Sequence, residues 1–288
     1  MRNSTIDVSP IAGSLGAEVS GVDLSQRLSD AVADEIRAAF VEHQVLFFHD
    51  QHLTPEQQIA FSGLFGPVTQ VPYIKPLDDY PEIVAVLKEA DENNIATFGG
   101  DWHSDFSYLE EPPAASLLYG LEIPAFGGDT LWADMYAAFE ALSPGMQRKL
   151  EQLNAMHSGH VYGSAMQDTD LRLSRSIEIS RGNAEADVER PHPVVRVHPD
   201  SGRKALFVNP IYTTRLENMT RAESRPILRF LYDHCTRPEF TCRFRWSTGA
   251  LAVWDNRCTL HYAVNDYDGS RRLLHRTATA GDRPIPAA

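Results

Sequence analysis

The spacing of apolar positions predicts a small set of helices. Four segments carry apolar side chains at helical spacing: 29–43, 53–66, 143–153 and 219–234. The second has the clearest start, because Thr54, Pro55 and Gln57 stand at the N-cap, the first helical position and the capping-box position. The fourth contains Pro226, which counts against a straight helix.

Short apolar runs predict strands, and most of them lie in the C-terminal half. The predicted strand segments are 44–48, 193–208, 239–246, 250–254, 258–264 and 271–281. The segment 193–208 contains two strands around a polar turn. Closely spaced strands with short turns favour a barrel or a jelly roll. Alternating strand–helix–strand units are not apparent, which argues against a doubly wound sheet. The pattern therefore predicts a mainly β fold with flanking helices.

Length and charge narrow the class of protein. The chain has 288 residues, of which 43% are hydrophobic, and this is enough for one large domain or for two small ones. With no internal repeat and no evident linker, we predict a single domain over 1–288. The formal net charge of −13 and the lack of a basic block argue against nucleic-acid and membrane-surface binding. No apolar run approaches the roughly 20 residues of a membrane span.

Cysteine usage favours a reducing compartment. Cys235, Cys242 and Cys258 are an odd, sparse set without a CxxC pair, which argues against a disulfide framework. The segment MRNSTIDVSPIAGSLG lacks the apolar run of a signal peptide. Both observations predict a cytoplasmic protein.

Two His-x-Asp motifs are candidates for metal binding. With eleven histidines in an acidic chain, such a motif arises by chance roughly once or twice. The motif at 198–200 lies in HPDSGRK, whose residues are typical of a hairpin turn. If 103–105 is extended, His103 and Asp105 point to the same side and can bind one metal ion. His261 is the candidate third ligand, although a lone histidine in a strand is more often a core residue.

Two arginines on the last predicted strand suggest an anion site. Arg272 and Arg276 are four residues apart, so in a strand they share a face with Leu274. On an edge strand they would be solvated, whereas on a buried face they need anions. Two histidines and a carboxylate form the facial triad of non-haem Fe(II) oxygenases. An arginine beyond the second histidine suits the far carboxylate of a chelating 2-oxo acid.

Segments along nearly the whole chain resemble, in order, those of the taurine/2,4-D dioxygenase family of Fe(II)- and 2-oxoglutarate-dependent oxygenases. These segments are GAEVSGVDLS, WHSDFSY, PPAASLLYG, GGDTLW, HPVVRVHPDSGRKALFVN, FRW, AVWDNRCTLHYAVNDY and RRLLHRTATAGDRP. The resemblance implies a double-stranded β-helix, the cupin-like jelly roll, with flanking helices. It also implies a homodimer or homotetramer. VPYIK and GGDWHSD are closest to the aryloxypropionate members.

The resemblance also assigns roles to individual residues. It implies that Fe(II) binds to His103, Asp105 and His261 as the catalytic metal ligands, with O2 as a reactant. The distal carboxylate of 2-oxoglutarate is then expected at Thr130 and Arg272. Arg276 is expected to bind an anionic small-molecule substrate.

The expected substrate pocket departs from that of the taurine enzyme. Val71, Ile74 and Gly99 stand where a histidine, a tyrosine and an asparagine are expected. The loss of these polar groups beside a retained Arg276 favours a carboxylate or sulfonate with an apolar or aryloxy body. Hydroxylation of such a substrate can lead to C–O or C–S cleavage. The predicted pocket residues are Val71, Tyr73, Ile74, Phe106, Tyr108 and Tyr212, together with Arg276.

Other functions remain open from the sequence. Alkylsulfonates such as taurine and alkyl sulfates are alternative substrates for the same chemistry. A metal-dependent hydrolase of phosphate or sulfate esters is an alternative of another class, and it would need neither O2 nor 2-oxoglutarate. A jelly-roll binding protein without catalysis gives no reason for the metal-ligand residues and Arg272 to occur together. The polar segment 162–190 is predicted to be a lid over the site.

Overall fold

The predicted helices form at the caps that the sequence provides. In the computed structural model, residues 5–93, 95, 97–166 and 175–287 are described. Their α-helices are α1 (Asp30–His43), α2 (Pro55–Ser62), α3 (Met135–Glu140), α4 (Pro144–Leu150) and α5 (Arg221–Cys235). Thr54 and Thr220 both complete capping boxes, at α2 and α5. Helix α5 runs through Pro226 without a break, whereas α3 was not predicted.

Strands occupy every segment for which they were predicted. The strands are β1 (Asp7–Pro10), β2 (Ala17–Ser20), β3 (Val45–Phe48), β4 (Val68–Thr69), β5 (Val84–Lys88), β6 (Ala115–Glu122), β7 (Thr130–Asp134), β8 (Asn154–His157), β9 (Arg190–Pro193), β10 (Val195–Val197), β11 (Lys204–Leu206), β12 (Thr213–Leu216), β13 (Thr241–Phe244), β14 (Leu251–Asp255), β15 (Thr259–Ala263), β16 (Arg272–Thr279) and β17 (Ile285–Pro286). The apolar pattern missed most of the strands before β9; several of them are short, but the eight-residue β6 was missed as well.

Two sheets face each other across an aromatic core. The large sheet has the order β1-β2-β3-β14-β6-β16-β4, with β5 paired to β16, and the facing sheet has the order β13-β7-β15. Phe47 of the large sheet stacks on Phe244 of the small one, with ring centroids 4.2 Å apart. Trp254 and Trp132 meet edge to face at 5.8 Å. These contacts form the interior of the predicted jelly roll.

Helices cover the outer faces of both sheets. On the large sheet, α1 and α2 pack Phe40 and Phe61 against the outward side chains of β3, β6 and β14. On the small sheet, α3 and α5 contribute Phe139 and Leu231 to a cluster with β7 and β15. The predicted class, mainly β with flanking helices and a jelly-roll core, is therefore confirmed. In the part of the chain described, no helix combines the length and apolarity that crossing a bilayer requires.

Strand β16 lies inside the large sheet and carries both arginines inward. It pairs with β6 on one side and with β5 and β4 on the other. Arg272 is 4% exposed and Arg276 is 5% exposed, with Leu274 fully buried between them. The alternative of an edge strand with solvated arginines is therefore wrong, since β16 has a neighbour on each side.

A buried histidine beside the jelly roll makes the stability of the fold depend on pH. His192 of β9 bonds through Nε2 to the carbonyl oxygen of Leu109 at 2.8 Å, and burial lowers its pKa to about 4. An unfolded histidine has a pKa of about 6.5, so below that pH the unfolded chain binds a proton that the folded chain does not bind. Folding therefore loses stability as the pH falls from about 6.5 towards about 4.

We expect His192→Gln to reduce this acid sensitivity, because glutamine keeps a donor for Leu109 and does not titrate. Between about pH 7.5 and about pH 5, the free energy of unfolding of the wild type should fall by about 2 kcal/mol more than that of the variant. Urea unfolding at both pH values measures the difference. Equal losses in the two proteins would contradict the assignment.

Candidate metal centre and anion sites

The two candidate metal-binding histidines are joined by their backbones. His261 lies on β15, and His103 forms an isolated antiparallel bridge to it. The amide of His103 donates to the carbonyl of His261 at 3.0 Å, and the amide of His261 donates back at 2.8 Å. The chain then turns after Ser104, which brings Asp105 beside both rings. The structure therefore brings together all three predicted metal ligands.

The side chains of this triad are arranged around a common point. The Nε2 atoms of His103 and His261 each lie 3.6 Å from Oδ1 of Asp105. One ligand atom from each residue lies within 4.8 Å of the other two. The Nδ1 atom of His103 lies 2.7 Å from the carbonyl oxygen of Asp101, which fixes the proton on Nδ1 and leaves a lone pair on Nε2.

Burial and charge set the protonation states that a metal requires. Burial lowers the pKa of His103 and holds that of His261 well below its ordinary value, so both rings are neutral. Burial raises the pKa of Asp105, but Arg276, the two histidines and Ser116 together hold it at about 2. Two neutral imidazoles and one carboxylate are the donor set of a facial-triad iron site. The residues present therefore fit Fe(II).

A second cluster of possible ligands, His198, Asp255 and Cys258, is fully used in hydrogen bonding. Nε2 of His198 bonds to Oδ2 of Asp255 at 2.9 Å, and its Nδ1 accepts from the amides of the next turn. Arg257 donates to both carboxylate oxygens of Asp255. Burial raises the pKa of the Cys258 thiol. This cluster stabilises the β10–β11 hairpin, as predicted for the second His-x-Asp motif, and both ring nitrogens of His198 and both carboxylate oxygens of Asp255 already have hydrogen-bond partners.

A narrow cavity connects the metal triad with Arg272 and Thr130. Arg272 donates through Nη2 to the carbonyl oxygen of Gly128 at 2.9 Å, while its Nε has no partner within the described residues. None of the acidic side chains described lies within ion-pair distance of this buried guanidinium. Oγ1 of Thr130 accepts from Nε1 of Trp246 at 2.9 Å, which leaves the hydroxyl proton for another acceptor. The pair fits a carboxylate.

The backbone around Gly128 is shaped by the approach of Arg272. Gly128 has a φ of +71°, and a Cβ there would lie 2.9 Å from Nε of Arg272. Glycine is therefore required both for the left-handed conformation and for the space.

A larger cavity of about 510 Å³ opens on the other side of the triad. Arg276 lies at its inner end, with Nη2 2.7 Å from Oδ2 of Asp105 and its guanidinium 5.3 Å from the ring of Phe106. Nε and Nη2 of Arg276 have no aligned acceptor among the residues described. Arg276 thus offers hydrogen bonds to an anion entering the cavity.

The structure brings only some of the predicted pocket residues to this cavity. Phe106 and Tyr212 line it. The other four predicted residues pack in the apolar cluster behind the wall: Val71, Tyr73, Ile74 and Tyr108. Tyr108 is 1% exposed and Ile74 is 4% exposed, and Ile74 pairs with Ile179 in a backbone bridge. The comparison with the taurine enzyme at Val71 and Ile74 therefore located the neighbourhood of the cavity but not its contact residues.

Several wall residues were missed; except for Tyr262 on β15, they come from loops or short 3-10 turns without a local signal. They are Thr97, Phe98, Val161, Tyr162, Met166, Ile179, Arg181, Ile211, Tyr262 and Asn265. Arg181 is notable since its Nε lacks a partner in the described part of the chain. Only the polarity of 162–190 pointed to this region.

Gly99 has a structural reason to replace the expected asparagine. Its φ is +76°, and a Cβ would lie 3.2 Å from Cε1 of His103. Gly99 lines both cavities, so its backbone forms part of the floor beneath the His103 ring.

Comparison with known proteins agrees with this geometry. Residues 7–278 match the taurine catabolism dioxygenase TauD, TfdA family. The chain is 38% identical to a Pseudomonas putida alpha-ketoglutarate-dependent sulfate ester dioxygenase, with 97% of this chain and 91% of that protein aligned. It is 31% identical to a Sphingobium herbicidovorans (S)-phenoxypropionate/alpha-ketoglutarate-dioxygenase, with 96% of this chain and 95% of that protein aligned. The structure of a taurine dioxygenase from Burkholderia xenovorans superposes with a TM-score of 0.83 at 34% sequence identity. The superposition covers 98% of this chain and 92% of that one.

The chain belongs to the TauD/TfdA family. It is a 2-oxoglutarate-dependent non-haem iron dioxygenase, whose cofactor and reactants are Fe(II), 2-oxoglutarate and O2. The predicted family and reaction class are thus confirmed over the alternatives of a hydrolase and of a protein without catalysis.

We expect His103→Ala to abolish Fe(II) binding and 2-oxoglutarate turnover, because one of three ligand atoms is lost. His198→Ala should keep metal affinity while lowering the melting temperature, since the hydrogen bonds of His198 stabilise the β10–β11 hairpin. Anaerobic calorimetry with Fe(II) measures affinity in both variants. Loss of binding in His198→Ala with full binding in His103→Ala would reverse the choice between the motifs.

Gly128→Ala should weaken 2-oxoglutarate binding, because the new methyl group displaces the Arg272 guanidinium. We expect the KM for 2-oxoglutarate to rise roughly 10-fold or more, as a misplaced charge-assisted pair costs 1–3 kcal/mol. Gly145→Ala is the matched control, since a Cβ there meets nothing within 4 Å. An unchanged KM for 2-oxoglutarate in Gly128→Ala would contradict the placement of that carboxylate.

Proposed function

We propose that this dioxygenase hydroxylates a small organic anion with an apolar body, which binds in the larger cavity with its acid group on Arg276. One observation carries the proposal: a buried guanidinium with free donors lies between the metal triad and a cavity whose walls are largely apolar. The acid group fixes one end of the substrate, so the carbon next to it is held near the metal.

We infer that His103, Asp105 and His261 hold Fe(II), and that Thr130 and Arg272 hold the distal carboxylate of 2-oxoglutarate. When bound, iron and 2-oxoglutarate together activate O2 for insertion of a hydroxyl group into a C–H bond, with release of succinate and carbon dioxide. A hydroxyl on a carbon that bears an ether, sulfate-ester or sulfonate group leads to C–O or C–S cleavage. The protein's part is to place that C–H bond and to keep bulk water out.

The cavity walls favour anions with apolar bodies over taurine. Phe98, Phe106, Met166, Ile179 and Ile211 form much of the surface that such a body would contact. Sulfate esters and aryloxy acids each combine an anion with an apolar body, and relatives are named for both. Taurine carries an ammonium group, which would lose its hydration in such a cavity.

Arg181 lies on the cavity wall as a second cation. Phe106 stacks on Tyr162 at 6.2 Å, and the amide of Asn183, close to Arg181, donates to the Tyr162 carbonyl oxygen. We propose that Arg181 raises the attraction of the cavity for anions.

We expect alkyl sulfates or aryloxy acids, rather than taurine, to stimulate succinate formation from 2-oxoglutarate. The panel holds aryloxyacetates, both enantiomers of aryloxypropionates, taurine, longer alkylsulfonates and alkyl sulfates. Arg276→Met should raise the substrate KM roughly 100-fold, because an unpaired acid group is left in the cavity. Arg271→Met is the control, since Arg271 points outward to Glu89 and Glu122. Stimulation by taurine alone would contradict the proposed substrate class.

We also propose that the chain is one domain, 1–288, with a lid at about 162–190. Residues 167–174 lie outside those described. On either side of them, Tyr162, Met166, Ile179 and Arg181 contribute to the cavity wall. The amide of Ser180 donates to the carbonyl of Tyr73 at 2.8 Å, which attaches this segment to the loop after β4.

A lid that closes over the substrate should be protected from proteolysis when the site is filled. We expect trypsin to cleave at Arg175 or Arg181 more slowly with Mn(II), 2-oxoglutarate and substrate than without them. Mass spectrometry of the fragments measures the rates. Cleavage in the remote α5 is the internal control, and equal protection at both places would count against a lid.

A cytoplasmic location and a homodimer or homotetramer complete the proposal. Cys235, Cys242 and Cys258 are all free and buried, which suits a reducing compartment. The oligomeric state rests on the family resemblance alone.

A further inference from the structure

The carboxylate of Asp105 has two oxygens in different surroundings. Oδ1 faces the two imidazoles, at 3.6 Å from each Nε2. Oδ2 faces away from them and accepts from Oγ of Ser116 at 2.6 Å, with Arg276 at 2.7 Å. Ser116 lies on β6 and is fully buried. The carboxylate is therefore held by one oxygen and presents the other to the metal position.

The hydroxyl proton of Ser116 is donated to Oδ2 of Asp105. Nδ2 of Asn256, which is a donor only, contacts Oγ of Ser116 at 2.9 Å. The serine hydroxyl accepts that bond, so its own single proton points to Asp105. The orientation of the Asn256 amide is fixed in turn, because its Oδ1 accepts from Nε1 of Trp254 at 3.0 Å. If the Asn256 amide were flipped, its Nδ2 donor would face the Nε1 donor of Trp254.

Asn256 also holds the segment that contains the ligands. Its carbonyl oxygen accepts from Oγ of Ser104 at 2.7 Å, and its Oδ1 lies 3.4 Å from the amide of Asp105. Its own amide donates to the carbonyl of Ala114, next to β6, at 2.9 Å. Asn256, which directly follows β14, thus connects the 103–105 segment to the large sheet.

We propose that Trp254, Asn256 and Ser116 form a directed hydrogen-bond relay that positions Asp105 as a single-oxygen metal ligand through Oδ1. The inference rests on the proposed metal site. Ser116 and Asn256 are positioning residues, because neither faces the metal position. Without Ser116, Oδ2 loses a charge-assisted hydrogen bond and keeps only its ion pair with Arg276, so the carboxylate is less restricted about its last torsion.

Ser116→Ala tests the relay, since it removes one hydroxyl and leaves the packing nearly unchanged. We expect the affinity for Mn(II), measured by calorimetry in the absence of 2-oxoglutarate, to fall roughly 10- to 100-fold, as for other outer ligands of metal sites. Ser62→Ala is the matched control. Ser62 is equally buried and its hydroxyl makes two hydrogen bonds, but it lies on α2, at the opposite face of the large sheet.

Asn256→Asp is the more demanding variant: it keeps the shape of the side chain and reverses one bond, while the negative charge that it adds would by itself favour Mn(II) binding, so a loss of affinity points to the reversed bond. Aspartate accepts the Ser116 proton, so the hydroxyl turns away from Asp105 while Trp254 keeps its acceptor. We expect a loss of Mn(II) affinity comparable with that of Ser116→Ala, and a changed Mn(II) electron paramagnetic resonance spectrum. Ser116→Thr, which keeps the hydroxyl, should restore most of the affinity.

The outcomes separate the relay from the metal site itself. If the wild type binds Mn(II), His103→Ala does not, and both Ser116→Ala and Asn256→Asp bind within about 2-fold of the wild type, the relay is overturned and the site stands. If His103→Ala binds Mn(II) as the wild type does, the proposed metal site itself fails. Equal losses in Ser62→Ala and Ser116→Ala would likewise overturn the relay, because general destabilisation would then explain both.

Discussion

The site depends on the pair of backbone hydrogen bonds that joins His103 to His261. This bridge brings a loop residue from the first half of the chain against β15 of the small sheet. It places the ring centroids of the two imidazoles 4.1 Å apart, so that one metal ion can bind to both rings. Because the bonds are between main-chain atoms, they fix the positions from which both imidazoles extend, and the contact of His103 Nδ1 with the carbonyl oxygen of Asp101 restrains one ring.

The surrounding fold keeps several charges in the core without neutralising them all. Asp105 is balanced by Arg276, but Arg272 has no acidic partner among the residues described. Burying a guanidinium alone is costly, and an incoming carboxylate lowers that cost. The unpaired charge of Arg272 therefore supports the proposal that the narrow cavity binds the distal carboxylate of 2-oxoglutarate. Rings of Trp246 and Tyr267 flank Arg272 at 5.8 and 5.6 Å and hold it in place.

Selectivity and chemistry are separated in space. Thr130 and Arg272, which we propose bind the co-substrate, lie on strands β7 and β16 of the jelly roll, and both strands are paired on both sides. The larger cavity, where we propose that the substrate binds, is lined mainly by loops, among them the segment with Ile179 and Arg181. Loops tolerate change better than paired strands do, so one reaction serves different anions in different relatives.

The sequence by itself determined the elements whose signals are local. Capping boxes predicted α2 and α5, apolar runs predicted β14 to β16, and the four-residue spacing of Arg272 and Arg276 predicted one shared face. The motif at 103–105 and the family resemblance named three candidate metal ligands, which the structure brings together. Each of these depends on neighbours along the chain, or on residues that the resemblance identified one by one.

Tertiary structure alone decided the features that depend on contacts between residues far apart in the sequence. Val71, Tyr73, Ile74 and Tyr108 were expected in the pocket, yet they lie behind its wall, because the exact path of a loop decides which side chain reaches a cavity. Tyr162 and Arg181 were missed for the same reason. The relay through Ser116 and Asn256 joins residues far apart in sequence, and only the pairing of strands across the large sheet brings them together.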